Sequence, residues 1–256
     1  MKTMLAFIKK ELIEQLRTGK LVILSIISIF IGILNPLTAK LTPWLFEMLA
    51  DTLAESGISF AGFTISAMDS WMQFFKNAPM ALIAFVLIES SIFVKEYQSG
   101  TLVLAVTRGL ERHKIVFSKA TLLTLLWTIY YWLSFIITYA YSAYFWDNSV
   151  ANNLLFAAIC WWVFGVFAIM LIVLFSTISN SNGTVLGGIF SVLLISYLVS
   201  LLPNTNKYTP TLLTDGYSLI YGIKAVHEYT DALITTITLS LLCFVLSIPI
   251  FNKKQL

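Results

Sequence analysis

Charged residues are scarce in this chain of 256 residues: only 11% are Asp, Glu, Lys or Arg, whereas 58% are hydrophobic. A soluble domain carries about a quarter charged residues, so this composition cannot cover a water-facing surface. A soluble enzyme and a disordered chain are therefore excluded. Cysteine is nearly absent as well, since only Cys160 and Cys243 occur, which excludes a secreted disulfide scaffold. The net charge of +3 is too small to indicate binding to nucleic acid.

The sequence also lacks the motifs of nucleotide and metal chemistry. No GxxxxGK[ST] loop occurs, so the chain has no Walker-type cradle for nucleotide phosphates. His227 and Glu228 begin like the zinc motif HExxH, but Asp231 stands where the second histidine belongs. We interpret this match as coincidence. The chain is therefore predicted to be no enzyme and to hold no metal or cofactor of its own.

Long intervals without charge divide the chain into membrane spans. A hydrocarbon core about 30 Å thick requires about 20 helical residues, which serves as a ruler. The interval from Asp147 to Lys207 is about three times too long for one helix, and polar residues 179–183 in its middle indicate a hairpin. We predict one all-α integral membrane domain over residues 1–256 with six spans, at about 21–39, 77–94, 120–145, 153–178, 184–202 and 232–251.

Lys and Arg are distributed unequally between the two sides of these spans. Twelve of the sixteen fall on the side of both termini, in the N-terminal segment, the loop at 95–119 and the C-terminus. The other side holds only Lys40, Lys76, Lys207 and Lys224. Because basic residues are retained in short cytoplasmic loops, both termini are predicted to be cytoplasmic.

Three segments outside the spans are too apolar for simple solvated linkers. Residues 1–20 predict an amphipathic helix at the cytoplasmic interface, with a frayed basic leader as the alternative. In the first outer loop, Pro43 can open a second helix that rests on the outer leaflet. The last outer loop, residues 203–231, is predicted to contain a short re-entrant segment. The apolar stripe of the first helix comprises Leu5, Ile8, Leu12 and Leu16.

Few residues inside the spans suggest a specific role. Glu89 is an exception, and it either extends to the cytoplasmic interface as a structural residue or lies in the translocation path. Gly183 and Gly187 form a GxxxG at the start of the fifth span, which permits close helix packing or dimer formation.

The loop between spans two and three carries the pattern that points to a family. Glu96, then Gly100-Thr101-Leu102, then Thr107-Arg108 and Lys119 at the start of a span resemble the membrane subunits of type-2 ABC exporters. The six spans, the amphipathic N-terminal segment and the large outer loops are similar too, so the resemblance covers essentially the whole chain. Many members have a proline shortly before the arginine, whereas this chain has Ala105-Val106.

The residues of this loop also suit the task that the resemblance implies. Gly100 can form a sharp turn, after which Thr101 can cap a short amphipathic helix that contains Leu102. Arg108 and Arg112 then offer positive charge to an acidic rim of a partner. By resemblance this is the coupling helix, with Glu96 and Arg108 holding its ends. An ordinary positive-inside loop is the alternative, but it does not explain the Glu-Gly-Thr-Leu spacing.

The resemblance further implies an assembly of two membrane subunits and two separate ABC ATPase subunits that bind ATP and Mg. The second membrane subunit would be an identical chain or a close paralogue, in a bacterial cytoplasmic membrane. The nearly uncharged spans favour export of hydrophobic or amphipathic cargo, and membrane-active peptides are preferred over lipids or hydrophobic drugs. A secondary transporter or channel that needs no ATPase is the alternative from another class.

The unequal charge distribution makes the orientation testable. In a chain with Cys160 and Cys243 replaced by alanine, Gln98→Cys is expected to resist a membrane-impermeant thiol reagent in intact cells. Asn206→Cys is expected to react, because it lies in an outer loop. Permeabilised cells provide the control, since both cysteines become accessible there. The opposite labelling pattern in intact cells would reject this orientation.

Overall fold

The structure is a computed structural model that describes residues 2–55 and 65–254, and every regular element in these ranges is helical. This confirms the all-α prediction. The helices are α1 Lys2–Arg17, α2 Lys20–Glu55, α3 Ala67–Glu89, α4 Val94–Gln98, α5 Thr101–Thr107, α6 Arg112–Phe145, α7 Leu154–Ile178, α8 Asn182–Ser200, α9 Gly216–Ile220 and α10 Thr230–Lys253.

Six of the described helices are long and apolar enough to cross a membrane: α2, α3, α6, α7, α8 and α10. The protein is therefore a multi-pass membrane protein. We call the end of the bundle that holds α1, α4, α5, the turn at residues 179–181 and Lys254 the terminal end. Hydrogen bonds join its parts, since Lys254 Nζ donates to Ser179 O at 3.0 Å and Tyr97 Oη to Ser176 O at 3.1 Å.

The first span is longer than predicted, because α2 continues through Pro36 and Pro43 to Glu55 without a break. The prediction that the span ends near residue 39 and that Pro43 opens a separate helix is wrong. A proline in a helix leaves the carbonyl four residues earlier without a donor. Here Thr138 Oγ1 of α6 donates to the carbonyl of Gly32 at 3.0 Å, which compensates for Pro36. Tertiary packing therefore preserves the helix that the sequence pattern divides.

Helix α3 of the second span begins and ends earlier than the predicted 77–94. Ser66 caps α3, because its hydroxyl accepts from Met68 N at 3.2 Å while Asp69 Oδ2 accepts from Ser66 N at 2.9 Å. This reciprocal capping starts the helix ten residues before the expected boundary. The predicted start at residue 77 relied on the charge of Lys76, but Lys76 lies inside α3 on its exposed face. The helix ends at Glu89 and a turn separates it from α4.

The remaining spans agree more closely with the sequence. The third span, α6, starts at Arg112 instead of 120. Helices α7, α8 and α10 begin and end within two residues of the predicted 153–178, 184–202 and 232–251. These ends coincide with polar turns on both sides, so the sequence pattern and the helix termini agree.

Aromatic packing holds α3, α6 and α7 together. The ring centroids of Trp71 and Phe135 lie 5.1 Å apart, and those of Phe85 and Trp127 lie 5.5 Å apart. The indole of Trp127 rests directly on Gly165, where a Cβ atom would come within 2.2 Å of the ring. Glycine is required at this position because it lets α6 and α7 approach each other closely.

The segment between α8 and α10 forms short helical turns and α9, and it closes the end of the bundle opposite the terminal end. Its apolar side chains Leu213, Leu219 and Tyr229 are fully buried. Trp161 Nε1 of α7 donates to Thr214 O at 2.8 Å. The segment therefore packs on the spans as part of the fold. Whether it enters the bilayer as a re-entrant segment stays a prediction.

Helix α8 is the least enclosed span, with 11% of its apolar window buried compared with 67% for α7. Gly188 packs on Phe175 of α7, where a Cβ atom would lie 2.4 Å from the ring. In contrast, a Cβ atom on Gly187 meets nothing within 4 Å, and one on Gly183 meets only Ser181 Oγ at 3.9 Å. The GxxxG pair thus lies on the open side of α8, and its role in dimer formation stays a prediction.

The two adjacent glycines provide a matched test of helix packing. Gly188→Ala is expected to lower the free energy of unfolding by about 1–3 kcal/mol, because the new methyl group displaces the Phe175 ring. Gly187→Ala is the control and should leave stability nearly unchanged or slightly increased, since the site is open. Denaturant unfolding in detergent micelles measures both. Equal effects of the two substitutions would contradict the packing of α7 on α8.

Candidate functional site at the terminal end

The loop between α3 and α6 folds into two short helices joined by a glycine turn. Gly100 connects α4 to α5 with φ of +69°, a left-handed conformation that favours glycine. The predicted turn at Gly100 is therefore present. Thr101 does not cap α5, because Gly100 occupies the cap position and no side chain bonds the first turn. Thr101 is instead the first residue of the helix.

Helix α5 is short, well terminated and largely exposed. Gly109 adopts φ of +88° after it, Gly109 N donates to Val106 O at 2.9 Å and Leu110 N donates to Ala105 O at 3.1 Å. This is a Schellman motif, which fixes where the helix ends. Leu102 is buried and anchors α5 to the protein. The exposed side carries Val103, Leu104, Thr107 and Arg108.

Glu96 lies in α4, the helix before α5, and its side chain is buried against Lys119 of α6. Lys119 Nζ lies 2.7 Å from Glu96 Oε2 and 2.8 Å from Glu11 Oε2, and it donates to Ile92 O at 3.0 Å. The lysine side chain is fully buried. One ammonium group therefore joins α1, α4 and α6, which are distant in sequence.

Lys10 completes a group that we call the ion cluster. Its ammonium bonds the carboxylate of Glu96 and lies 3.0 Å from Glu11 Oε1 and 3.1 Å from Glu14 Oε2. The cluster thus pairs two lysines with three carboxylates. The carboxylate oxygens of Glu11, Glu14 and Glu96 lie within 4.8 Å of one another, which suits a cation. The Lys10 ammonium already contacts all three. The ion cluster consists of Lys10, Glu11, Glu14, Glu96 and Lys119.

The environment of the cluster shifts the pKa values of its α1 members. Burial by itself lowers the pKa of Lys10, but the hydrogen bond with Glu96 and the charges of Glu11 and Glu96 outweigh it, so this pKa is raised. Burial raises the pKa of Glu11, and the charge of Lys119 opposes that effect. The ammonium of Lys10 is thereby held in its charged form next to the carboxylates.

Helix α1 therefore packs through its polar side. Glu11 and Gln15 are buried against the protein, whereas Leu5, Leu12 and Leu16 of the predicted apolar stripe are exposed. The amphipathic helix is present as expected, and its apolar face points away from the protein. In a membrane protein this arrangement suits contact with lipid.

Comparisons with known proteins agree with this architecture. A family described as ABC-2 family transporter protein matches residues 5–255, which is nearly the whole chain. The chain belongs to the ABC-2 transporter family. A protein of Bacillus subtilis (strain 168) described as the uncharacterized transmembrane protein YxlG is 26% identical over 256 residues, covering 96% of this chain and 94% of that protein. The resemblance drawn from the loop and the six spans is thus confirmed.

In this ABC-2 protein, Arg112 contacts the end of the last span. Its Nη1 donates to the carbonyls of Phe251 and Asn252 at 3.0 Å and to that of Lys254 at 2.6 Å. A cation at a helix C-terminus satisfies free carbonyls and opposes the helix dipole. Arg112 therefore joins α6 to α10, a contact that the spacing in the sequence did not indicate. Arg108 has no comparable contact among the described residues and is exposed.

Glu89 is fully buried beside α1 and α2. Gln15 Nε2 donates to Glu89 Oε2 at 2.5 Å, and Lys20 Nζ lies 3.5 Å from the same oxygen. The carboxylate thus faces the protein instead of extending to the interface. Its assignment to a translocation path stays a prediction, and the structure adds its two partners, Gln15 and Lys20.

The ion cluster makes Lys119 a test of how the loop is held. Lys119→Met is expected to lower the free energy of unfolding by about 3 kcal/mol, because the buried Glu11 and Glu96 lose their buried partner and keep only the half-exposed Lys10. The exposed Lys95→Met on α4 is the control, with a change within about 0.5 kcal/mol. Denaturant unfolding in micelles measures both. The triple variant Lys119→Met, Glu11→Gln, Glu96→Gln should recover part of the loss, and no recovery would contradict the assigned pairing.

Proposed function

We propose that this ABC-2 family protein is the membrane subunit of an ATP-driven exporter that moves hydrophobic or amphipathic cargo, with membrane-active peptides as the preferred class. The observation that carries the proposal is the form of the loop between α3 and α6. It presents a short exposed helix, α5, directly after α4, and the ion cluster joins α4 to the bundle through Glu96. A chain without a nucleotide-binding loop needs such an element to receive force from a separate ATPase.

Helix α5 is the proposed coupling helix. Its exposed side combines the apolar residues Val103 and Leu104 with the cation of Arg108, a mixture that suits a cleft with an acidic rim. Its two ends are defined by Gly100 and the Schellman motif at Gly109. A defined seven-residue helix transmits a push better than a flexible tail of the same length.

The ion cluster is the proposed path from this helix into the spans. A movement of α5 pulls on α4, whose Glu96 bonds Lys119 of α6 and Lys10 of α1. Separating these groups would leave ionised side chains buried without partners, which costs several kcal/mol. The loop, α1 and the start of α6 therefore move as one unit. Two ATPase subunits that close with ATP and Mg would push two such units together.

The small size of the bundle supports a dimer of membrane subunits, of identical or closely related chains. Within the described residues, the spans pack around a continuous core of buried apolar and aromatic side chains. The exposed apolar side of α8, with Gly183 and Gly187, suits close contact with a second subunit. A passage shared between two subunits needs no open space within either one.

The character of the spans supports apolar cargo. Among the described residues of the spans, Glu89 is the fully buried carboxylate, and Gln15 and Lys20 already contact it. A secondary transporter driven by ions usually places ionisable residues along its path. That alternative is therefore less favoured. Export of lipids or hydrophobic drugs is compatible with the same apolar spans, since such molecules are bound by shape and apolar contact.

The proposed location is a bacterial cytoplasmic membrane with the terminal end on the cytoplasmic side. The excess of Lys and Arg at that end supports this orientation. It also places α5 where an ATPase subunit and ATP are available.

Reversing the charge of Arg108 tests the proposed coupling role. In a reconstituted complex with the cognate ATPase, Arg108→Glu is expected to lower cargo-stimulated ATP hydrolysis about tenfold, since a charged hydrogen bond contributes roughly 1.5–3 kcal/mol. Lys253→Glu is the control, because it reverses an exposed cation at the terminal end outside the loop. The stimulating cargo is found by screening amphipathic peptides, lipids and hydrophobic drugs.

Two outcomes would contradict the proposal. Unchanged stimulation in Arg108→Glu, with normal insertion and assembly, would exclude the coupling role of this residue. Cargo movement by the purified protein with no ATPase bound would exclude the exporter and favour the secondary transporter or channel.

A further inference from the structure

The side of the bundle formed by α6, α7 and α10 contains a lateral groove that the proposed function does not use. It has a volume of about 490 Å³, and α7 forms its floor. Leu125 of α6 and Leu241 of α10 stand exposed along its two edges. The lining is nearly all apolar, with Val166 and Met170 among the floor residues. The groove opens laterally between the spans α6 and α10, so its opening faces the hydrocarbon region of the bilayer.

The length of the groove matches one leaflet. Phe117 and Phe244 close it toward the terminal end, with ring centroids 6.0 Å apart. At the other end Trp162 donates from Nε1 to Thr128 Oγ1 at 3.1 Å. From residue 117 to residue 128 a helix rises about 16 Å, which is close to half of the hydrocarbon thickness of about 30 Å.

The width of the groove decides which occupant fits. A volume of about 490 Å³ spread over about 16 Å gives a cross-section of about 30 Å². This section suits a single extended hydrocarbon chain, whereas a helix with side chains, about 10 Å in diameter, would enter the groove only with side chains of one face.

A cation stands beyond the aromatic end of the groove. Lys114 lies three residues before Phe117 on the same face of α6, about one helical turn away. Its ammonium is paired with the exposed carboxylate of Glu111, and its side chain remains partly exposed. A phosphate at the membrane surface can approach this ammonium while a hydrocarbon chain attached to it enters the groove.

We propose that this groove binds one phospholipid from the leaflet at the terminal end, with an acyl chain between α6 and α10 and its phosphate beside Lys114. The binding contributes to stability because the chain covers apolar side chains of all three helices. The proposal is independent of the exporter function, since a retained lipid requires neither an ATPase nor cargo.

Photolabelling of the unaltered protein tests the site directly. The full chain is reconstituted in vesicles of phosphatidylglycerol that carries a diazirine on one acyl chain, irradiated, and digested for mass spectrometry. Adducts are expected to be several-fold enriched in segments 117–125 and 237–244 relative to the exposed residues Phe190 and Ile195 of α8. Equal labelling of α8 would overturn the proposal, because it would indicate a freely exchanging lipid shell.

Substitutions separate the contribution of the chain from that of the phosphate. Thr121→Trp fills the groove and should lower the fraction of protein that retains one phospholipid in native mass spectra, whereas Ile136→Trp, exposed on the same helix beyond Thr128, should not. Lys114→Gln should lower retention about fivefold, the effect of about one surface lysine, and Lys253→Gln is its control. Retention unchanged in both Thr121→Trp and Lys114→Gln would overturn the proposal. Should Thr121→Trp fail to fold, the photolabelling and Lys114→Gln still decide.

Discussion

The contact of Lys119 with Glu11 and Glu96 determines how the terminal end of this protein is built. An ammonium group that is fully buried is tolerated only with carboxylates at bonding distance, and here they come from two other elements. If α1 or α4 left α6, Lys119 would lose one of its two carboxylate partners. The position of the N-terminal helix and that of the loop therefore depend on one side chain at the start of α6.

This constraint also explains the unusual orientation of α1. A surface helix on a soluble protein turns its apolar stripe inward, whereas α1 turns Glu11 and Gln15 inward and leaves Leu5, Leu12 and Leu16 exposed. The arrangement is stable only where a lipid surface covers the leucines. The membrane and the ion cluster thus hold opposite faces of α1.

The sequence was informative where chemistry changes sharply along the chain and uninformative where distant residues meet. The ends of α7, α8 and α10 follow polar turns, so counting apolar residues located them. Pro43 did not end α2, and a capping box at Ser66 moved the start of α3. The spacing of Glu96 and Lys119 indicated the family, but their contact with α1 was not predicted. Glu11 and Gln15 at four-residue spacing, on the side of α1 away from the leucines, were the signal that could have revealed it.

Packing within the bundle divides the spans by their freedom to move. Helix α7 is enclosed by α3, α6, α8 and α10, and Gly165 locks it against Trp127, so it is the natural fixed element. Helix α8 is held mainly through the contact of Gly188 with Phe175 and through the turns that follow it. If a movement enters at the ion cluster, as proposed, it reaches α6 first and then meets this rigid core. Since packed cores resist gradual deformation, such a displacement would be taken up beside α8, the least enclosed of the described spans. The same open side of α8 that suits a second subunit is therefore also the side where a change of shape requires the least repacking.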